Sequence, residues 1–429
     1  MSVIIMGFMI LLMLGFPIAF VMLAVTIFGS QFIMGTNPTA IIQQAFSGLN
    51  SYTILAVPFF IISGSIASNG GTARSLVNVM RKAFGRLPGG LGIAAIMASA
   101  FFAAITGSSM ACIVAVGALM IPYMLEEGYP SDMAIGVVNS AGSLGILIPP
   151  SIPMVTLSVV MGVSVADTFA AGLIPGLLLA GAWAVYVCFT CKKKGIPNAE
   201  FRKKTFEYGF KDFVKDLPAV FFPVIILGSI YGGFLTATEA AALSVVYAIP
   251  IGIFYYKKIN WATYRTAMID AGKTAGVIMC MMLSVQILSR LYITENLPDL
   301  ILGVLTSISS NKIVILMMIN VFMVIMGMLM DDCSNTTLLT PILLPIMGTL
   351  GISVFHFAAI LGVNIGMGNI TPPTAPLLYL SGRITGAEVK NMLKPTIILI
   401  LCAWLPTLIV TTYFPGFSEF LPRILGYMS

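Results

Sequence analysis

Charge is what this chain has least of. Asp, Glu, Lys and Arg make up 9% of its 429 residues, against 58% hydrophobic, and the mean hydropathy is +1.01. Soluble domains carry about 25% charged residues, and the many apolar runs here are long enough to span lipid. A soluble protein with an oversized core is therefore excluded. Histidine is nearly missing: His356 stands alone, too few for a histidine-based metal site. The six cysteines (Cys112, Cys188, Cys191, Cys280, Cys333, Cys402) are scattered. Cys188-x-x-Cys191 borders a basic segment with no second pair nearby, so it reads as reduced packing rather than a metal or redox motif. Ionisable residues are too sparse for the relay of a proton-translocating or channel-like subunit, and no nucleophile with an obvious base is visible for an intramembrane enzyme. The formal net charge of +6 sits in a few connections, where it reads as a topology signal and not as a nucleic-acid surface. The N-terminus carries no charged leader and no small-residue cleavage site, so it is expected to be a retained span.

Against this oily background two short polar stretches stand out, Ile105–Ala111 (ITGSSMA) and Met330–Thr336 (MDDCSNT). Each is followed by a proline break, Gly145–Pro150 (GILIPP) and Gly368–Pro373 (GNITPP). Polar, helix-breaking backbone at membrane depth is tolerated only where it is buried in protein or lines a wet cavity. Two such pairs in matching places point to a transport site.

The segment from Lys192 to Lys215 is the most basic in the chain and, with Arg74, Arg81, Lys82 and Arg86, is expected on the cytoplasmic side. Parity then fixes an all-α polytopic membrane fold with inverted-topology repeats. Residues 1–86 are N-terminal scaffold helices, with Val3–Phe32 either one tilted span or two legs about Pro17. Residues 87–189 form a first repeat: a re-entrant helical hairpin at 87–128, a broken transmembrane helix at 132–162 and a helix at 169–188. Residues 190–216 form a cytoplasmic basic loop, and 217–310 further scaffold helices. Residues 311–429 form a second repeat: a hairpin at 311–350, a broken helix at 355–382 and a C-terminal helix at 395–413. A shift of 223 residues superposes Pro122 on Pro345, Gly128 on Gly351, Gly145 on Gly368 and Pro149-Pro150 on Pro372-Pro373. Pro175 and Pro395 correspond after a short gap. The hairpins enter from opposite faces, an arrangement that suits secondary transporters with midplane sites.

Proline lacks an N–H, so it leaves the carbonyl four residues earlier without its helical partner. Pro149, Pro150 and Pro153 free the carbonyls of Gly145, Ile146 and Pro149; Pro372, Pro373 and Pro376 free those of Gly368, Asn369 and Pro372. Carbonyls clustered at the end of a half-helix carry partial negative charge and suit a small hard cation such as Na⁺. Thr106, Ser108 and Ser109 in one tip, and Asp332, Ser334, Asn335 and Thr336 in the other, would complete the shell. Helix N-termini at the same breaks favour an anion. Ser109 and Asn335 are alternatively N-caps. Thr156 and Ser158 face the same cavity or bond back to helix carbonyls. Asp331 and Asp332 are costly in lipid unless paired: they handle cation or substrate, or pair structurally with a residue such as Arg290. Glu239 reads as the cap of a span.

The ITGSS segment, the Gly-x-Leu-Ile-Pro-Pro-Ser break (Gly145–Ser151) and the Asn-Ile-Thr-Pro-Pro-Thr break (Asn369–Thr374) resemble the large membrane subunit of tripartite ATP-independent periplasmic (TRAP) transporters, over essentially the whole chain. The resemblance implies a Na⁺-coupled importer of organic acids in a bacterial inner membrane, working as an elevator. It implies two partners, a small Q-type membrane subunit on a separate chain and a periplasmic P-type substrate-binding protein. It also implies two or more coupling ions, with the carbonyls of Gly145, Ile148 and Pro150 joining Ser108 and Ser109 in one site. Those of Gly368, Thr371 and Pro373 join Asp332 and Asn335 in the other. Thr106, Ser109, Thr156, Ser158, Asp331 and Asn335 are the substrate candidates. The tip reads Gly-Ser-Ser-Met-Ala where dicarboxylate-type members have Gly-Ser-Gly-Pro-Ala, and the whole most resembles sialic-acid (N-acetylneuraminate) members; a C4-dicarboxylate permease is the alternative.

Overall fold

A computed structural model describes residues 2–32, 35–196, 208–372 and 375–427. The described residues are helical throughout, and eight of their helices are long and apolar enough to cross a membrane. The first apolar stretch is two helices, α1 (Ser2–Met13) and α2 (Ile18–Phe32). Gly15, at φ +80°, makes the turn and Pro17 supplies no N–H to continue a helix. Residues 38–49 form α3 (Pro38–Leu49), which Asn37 caps through the Thr39 N–H at 2.9 Å. A single 3₁₀ turn, Tyr52–Leu55, leads into α4 (Ala56–Asn69). Of the basic residues expected in a connection, Arg74, Arg81 and Lys82 lie on an amphipathic helix, α5 (Thr72–Phe84), and Arg86 follows it. It buries Leu76, Val77 and Met80, and Arg81 stacks 3.8 Å above the Tyr123 ring.

Repeat one follows. Helices α6 (Gly90–Thr106) and α7 (Ser109–Glu126) form a hairpin. Next comes α8 (Ser131–Gly142), a 3₁₀ turn at Ser143–Ile146, an extended stretch and α9 (Ile152–Met161). Helix α10 (Val165–Lys194) is longer than the expected 169–188 at both ends, because Ser164 caps its start and Gly195, at φ +64°, stops it. The basic segment expected as a loop at 190–216 therefore begins on α10 and ends on α11, with residues 197–207 outside the described residues. Scaffold helices α11 (Phe210–Tyr231), α12 (Ala237–Pro250, ending in a π turn at Ile251–Tyr255), α13 (Trp261–Thr294) and α14 (Leu297–Ile308) come next. Glu239 closes a capping box with Thr236.

Repeat two is α15 (Lys312–Leu329) and α16 (Asp332–Thr349), a second hairpin, then α17 (Val354–Gly368), a break and α18 (Pro376–Thr385). Helix α19 (Val389–Leu399) runs through a π turn (Ile400–Trp404) into α20 (Leu405–Tyr413), and α21 (Gly416–Ile424) closes the chain.

Helix boundaries obey the 223-residue shift: Ser109–Glu126 maps onto Asp332–Thr349, the α8 start at Ser131 onto the α17 start at Val354, and the α6 end at Thr106 onto the α15 end at Leu329. Equivalent residues of two copies can touch only near the axis relating them. Ser109 and Asp332 do so by a hydrogen bond. Trp183 and Trp404 do so edge to face, with ring centroids 5.7 Å apart. The shift is 220 at Pro175/Pro395 and 221 at the tryptophans. The π turn between Pro395 and Trp404 accommodates the extra residue.

Candidate functional site

The first hairpin turns at Gly107, in the left-handed region (φ +62°), and Ser108, whose Oγ accepts from the Ala111 N–H at 3.4 Å and caps α7. A β-carbon on Gly107 would lie 2.8 Å from the Pro150 carbonyl oxygen, and the Ile152 N–H donates to the Gly107 carbonyl at 3.1 Å. Gly145 presses on the same tip: a β-carbon there would lie 2.7 Å from the Ser109 nitrogen and 2.8 Å from the Ser108 carbonyl carbon. Tip and break thus interlock through backbone, which only glycine permits.

The second tip is acidic. The Asp331 carboxylate caps α16, accepting from the Cys333 and Ser334 N–H groups at 3.1 and 3.3 Å and from the Ser334 hydroxyl. Arg290 is not its partner; that guanidinium donates to Gln44 at 3.2 Å. Asp332 faces the other way. Its Oδ2 accepts from Ser109 Oγ at 2.8 Å, and its Oδ1 accepts from the Asn369 amide of the second break. An ionised carboxylate only accepts, so the Asn369 NH₂ must point at it, and Asn369 Oδ1 is left buried with no partner among the described residues. The Asn335 NH₂ donates to the Met330 and Asp331 carbonyls at 2.9 and 3.3 Å, and its Oδ1 is likewise buried without a described partner. A carboxylate and two orphaned amide oxygens make an oxygen-only acceptor set, which fits a hard monovalent cation. Among the described residues no cluster of three His, Cys, Asp or Glu offers a transition-metal site.

The breaks are less bare than proline counting implies. Ser151 Oγ donates to the Ile146 carbonyl at 2.6 Å, the Thr371 N–H to Gly368 at 2.9 Å and the Leu377 N–H to Asn369 at 3.2 Å. Three of the six carbonyls expected to be free are therefore occupied once. Each keeps a second lone pair. Ile148 and Pro150 lie in the extended stretch, both buried. Pro373 lies outside the described residues.

Two cavities flank the first tip. One, of about 280 Å³, opens between the two tips and is lined by Ser108, Met110, Ile152, Met281, Asp331 and Asp332 among others. The other, of about 360 Å³, lies between the first tip and the scaffold helices α4 and α13, and holds Thr106, Ser108, Met110, Asn69, Asp270 and Thr274.

A profile of the family described as "Tripartite ATP-independent periplasmic transporter, DctM component" matches residues 5–417. The chain belongs to the DctM family. It is 34% identical to the isethionate TRAP transporter permease DctMQ of Oleidesulfovibrio alaskensis, covering 96% of this chain and 65% of that one. It is 32% identical to the C4-dicarboxylate large permease DctM of Rhodobacter capsulatus, over 99% of each chain. It is 32% identical to the sialic acid large permease SiaM of Vibrio cholerae, over 98% of each. The crystal structure of the Alcanivorax borkumensis YdaH transporter shares the fold, with a TM-score of 0.67, 15% identity, and coverage of 92% of this chain and 90% of that one. The relatives' names describe transport permeases and no enzyme.

In this DctM protein the structure brings Ser108, Ser109, Asp331, Asp332, Asn335 and Gly145 to the meeting of tips and breaks. It does not bring Thr156 and Ser158 to either cavity. Their hydroxyls donate to the Pro153 and Met154 carbonyls at 2.8 and 2.7 Å, and Ser158 also shares a 2.6 Å bond with Thr168. Thr106 Oγ1 donates to Phe102 at 3.1 Å, although Thr106 lines the second cavity. The caps are Ser108 and Asp331, not Ser109 and Asn335. Sequence reasoning missed Thr274, which lines both cavities from the middle of α13. The Asp270-x-x-Lys273-Thr274 run lies inside α13, which is helical for 34 residues.

Proposed function

We propose that this chain is the translocating subunit of a Na⁺-coupled TRAP importer in a bacterial inner membrane. It takes an organic acid from a periplasmic binding protein and works beside a small membrane subunit. The carrying observation is the Asp332 carboxylate, held by one hydrogen-bond donor from each repeat and neighboured by two orphaned amide oxygens. No cationic side chain of the described residues pairs with this carboxylate, and oxygen ligands suit Na⁺. Ser108, Ser109 and the first-break carbonyls Gly145, Ile148 and Pro150 would hold one ion. Asp332, Asn335 and the second-break carbonyls Gly368, Thr371 and Pro373 would hold another. The hairpins would be re-entrant and, with the broken helices, would move as an elevator against α1–α5 and α11–α14.

Sialic acid is the first substrate to test. The Gly-Ser-Ser-Met-Ala tip supports it, and so does the absence of Lys or Arg among the described residues lining either cavity. A second carboxylate, as in a C4-dicarboxylate, would sit beside Asp331 and Asp332 with no cation of the protein to meet it. A dicarboxylate is therefore the second reading. Uptake in proteoliposomes with both partner proteins tests the proposal: accumulation should follow an imposed Na⁺ gradient. Accumulation that ignores the gradient rejects it.

A further inference from the structure

The two repeats also meet far from the tips. The rod formed by α19 and α20 contacts α10 at its π turn, where Trp404 meets Trp183, while α8 lies along the α19 leg. Two turns further out, towards Lys194 and Lys394, a cavity of about 120 Å³ separates α10 from α19, with α8 as its third wall. Its polar rim is Lys194, Lys394, Thr190, Tyr186 and Asp132; its floor is Val137, Ile398 and Leu399. Neither lysine forms an ion pair with a described residue. Beside the rim, Phe189, Ile397 and Leu401 point outward, 76%, 42% and 56% exposed, on helices long and apolar enough to be lipid-facing.

We infer that this cavity binds the headgroup of a phospholipid from the leaflet on the basic side of the protein. Two ammonium groups with no ion pair among the described residues, together with the Thr190 and Tyr186 hydroxyls, match a phosphodiester. Asp132 matches a donor three or four bonds beyond the phosphate ester oxygen, the ammonium of ethanolamine or the hydroxyls of glycerol, which choline lacks. The acyl chains lie against Phe189, Ile397 and Leu401. The lipid wedges the gap between repeat one (α8, α10) and repeat two (α19), so it bears on how the halves are held together and not on the transport site.

Native mass spectrometry of the purified full-length chain tests this in mixed micelles of phosphatidylethanolamine, phosphatidylglycerol or phosphatidylcholine. The expected result is one retained phospholipid of the first two kinds and none of the third. In the K194Q/K394Q variant, which alters only exposed side chains, retention falls about ten-fold or more. The K192Q/K193Q variant loses the same charge at the two positions preceding Lys194, which do not line the cavity, and retains lipid as the parent does. Equal retention of phosphatidylcholine overturns the inference, as does unchanged retention in K194Q/K394Q or an equal loss in K192Q/K193Q. Binding of inorganic phosphate without retention of lipid assigns the cavity to a free anion and also overturns it.

Discussion

The two hairpin tips occupy equivalent positions in the repeat and have diverged in chemistry. The first is neutral, turns on a left-handed glycine and seats its backbone against its own break through Gly107 and Gly145. The second is acidic, turns at Met330 in extended conformation and caps α16 through a carboxylate. Its hinge glycine, Gly368, is pressed hardest by the incoming leg. A β-carbon there would lie 2.6 Å from the Gly327 Cα of the incoming leg α15. The first break therefore packs on its tip through backbone, whereas the second packs on its leg through backbone and reaches its tip through the Asn369 amide. Charge is concentrated on the second tip, and the first supplies a hydroxyl to it. The difference teaches that the two tips are not two copies of one chemistry: a single carboxylate, Asp332, accepts from Ser109 of the first tip and from Asn369 of the second break.

The sharpest way to break the comparison is at the hinge glycines. Gly145→Ala forces backbone of the tip and break apart and should abolish uptake, with about 1–3 kcal/mol of stability lost to overpacking. Gly368→Ala should cost similar stability but leave the first tip seated. Uptake together with thermal unfolding of the detergent-purified chain separates the two, and equal Na⁺ dependence in both variants would remove the distinction. Next in size is Asp332→Asn, which keeps the shape and removes the charge. The Na⁺ concentration for half-maximal uptake should rise about ten-fold or more, with an unchanged value counting against a shared carboxylate. Asn335→Ala and Ser108→Ala remove one neutral oxygen each and should raise it by a few-fold without blocking membrane insertion. The asymmetry predicts the larger effect at Asn335, whose Oδ1 is orphaned, and the smaller at Ser108, whose hydroxyl is spent on a cap. Smallest are Thr156→Val and Ser158→Ala. Their hydroxyls only bond back to helix carbonyls, so Na⁺-dependent uptake should stay within about two-fold, measured in the same proteoliposomes.

Much of this was legible before any coordinates. A polar tip or a double proline inside an apolar segment violates the local rule so strongly that its position is certain, and the 223-residue shift then carries helix boundaries across the chain. Other features depend on geometry that composition does not encode. The α5 helix hid as a basic loop because its buried stripe of Leu76, Val77 and Met80 is short. The proline argument tells which N–H is missing but not that Ser151, Thr371 and Leu377 donate to three of the stranded carbonyls. Thr274 went unnoticed because a single threonine in a 34-residue helix carries no pattern.

The Ser109–Asp332 bond has a consequence for how such a chain can arise. Had two separate, identical chains assembled about the same axis, this position would have faced itself, hydroxyl against hydroxyl or acid against acid. Once the two copies differ in sequence, as they do within this single polypeptide, one can present a hydroxyl and the other a carboxylate. The most intimate contact between the halves is therefore one that a symmetric ancestor could not have made.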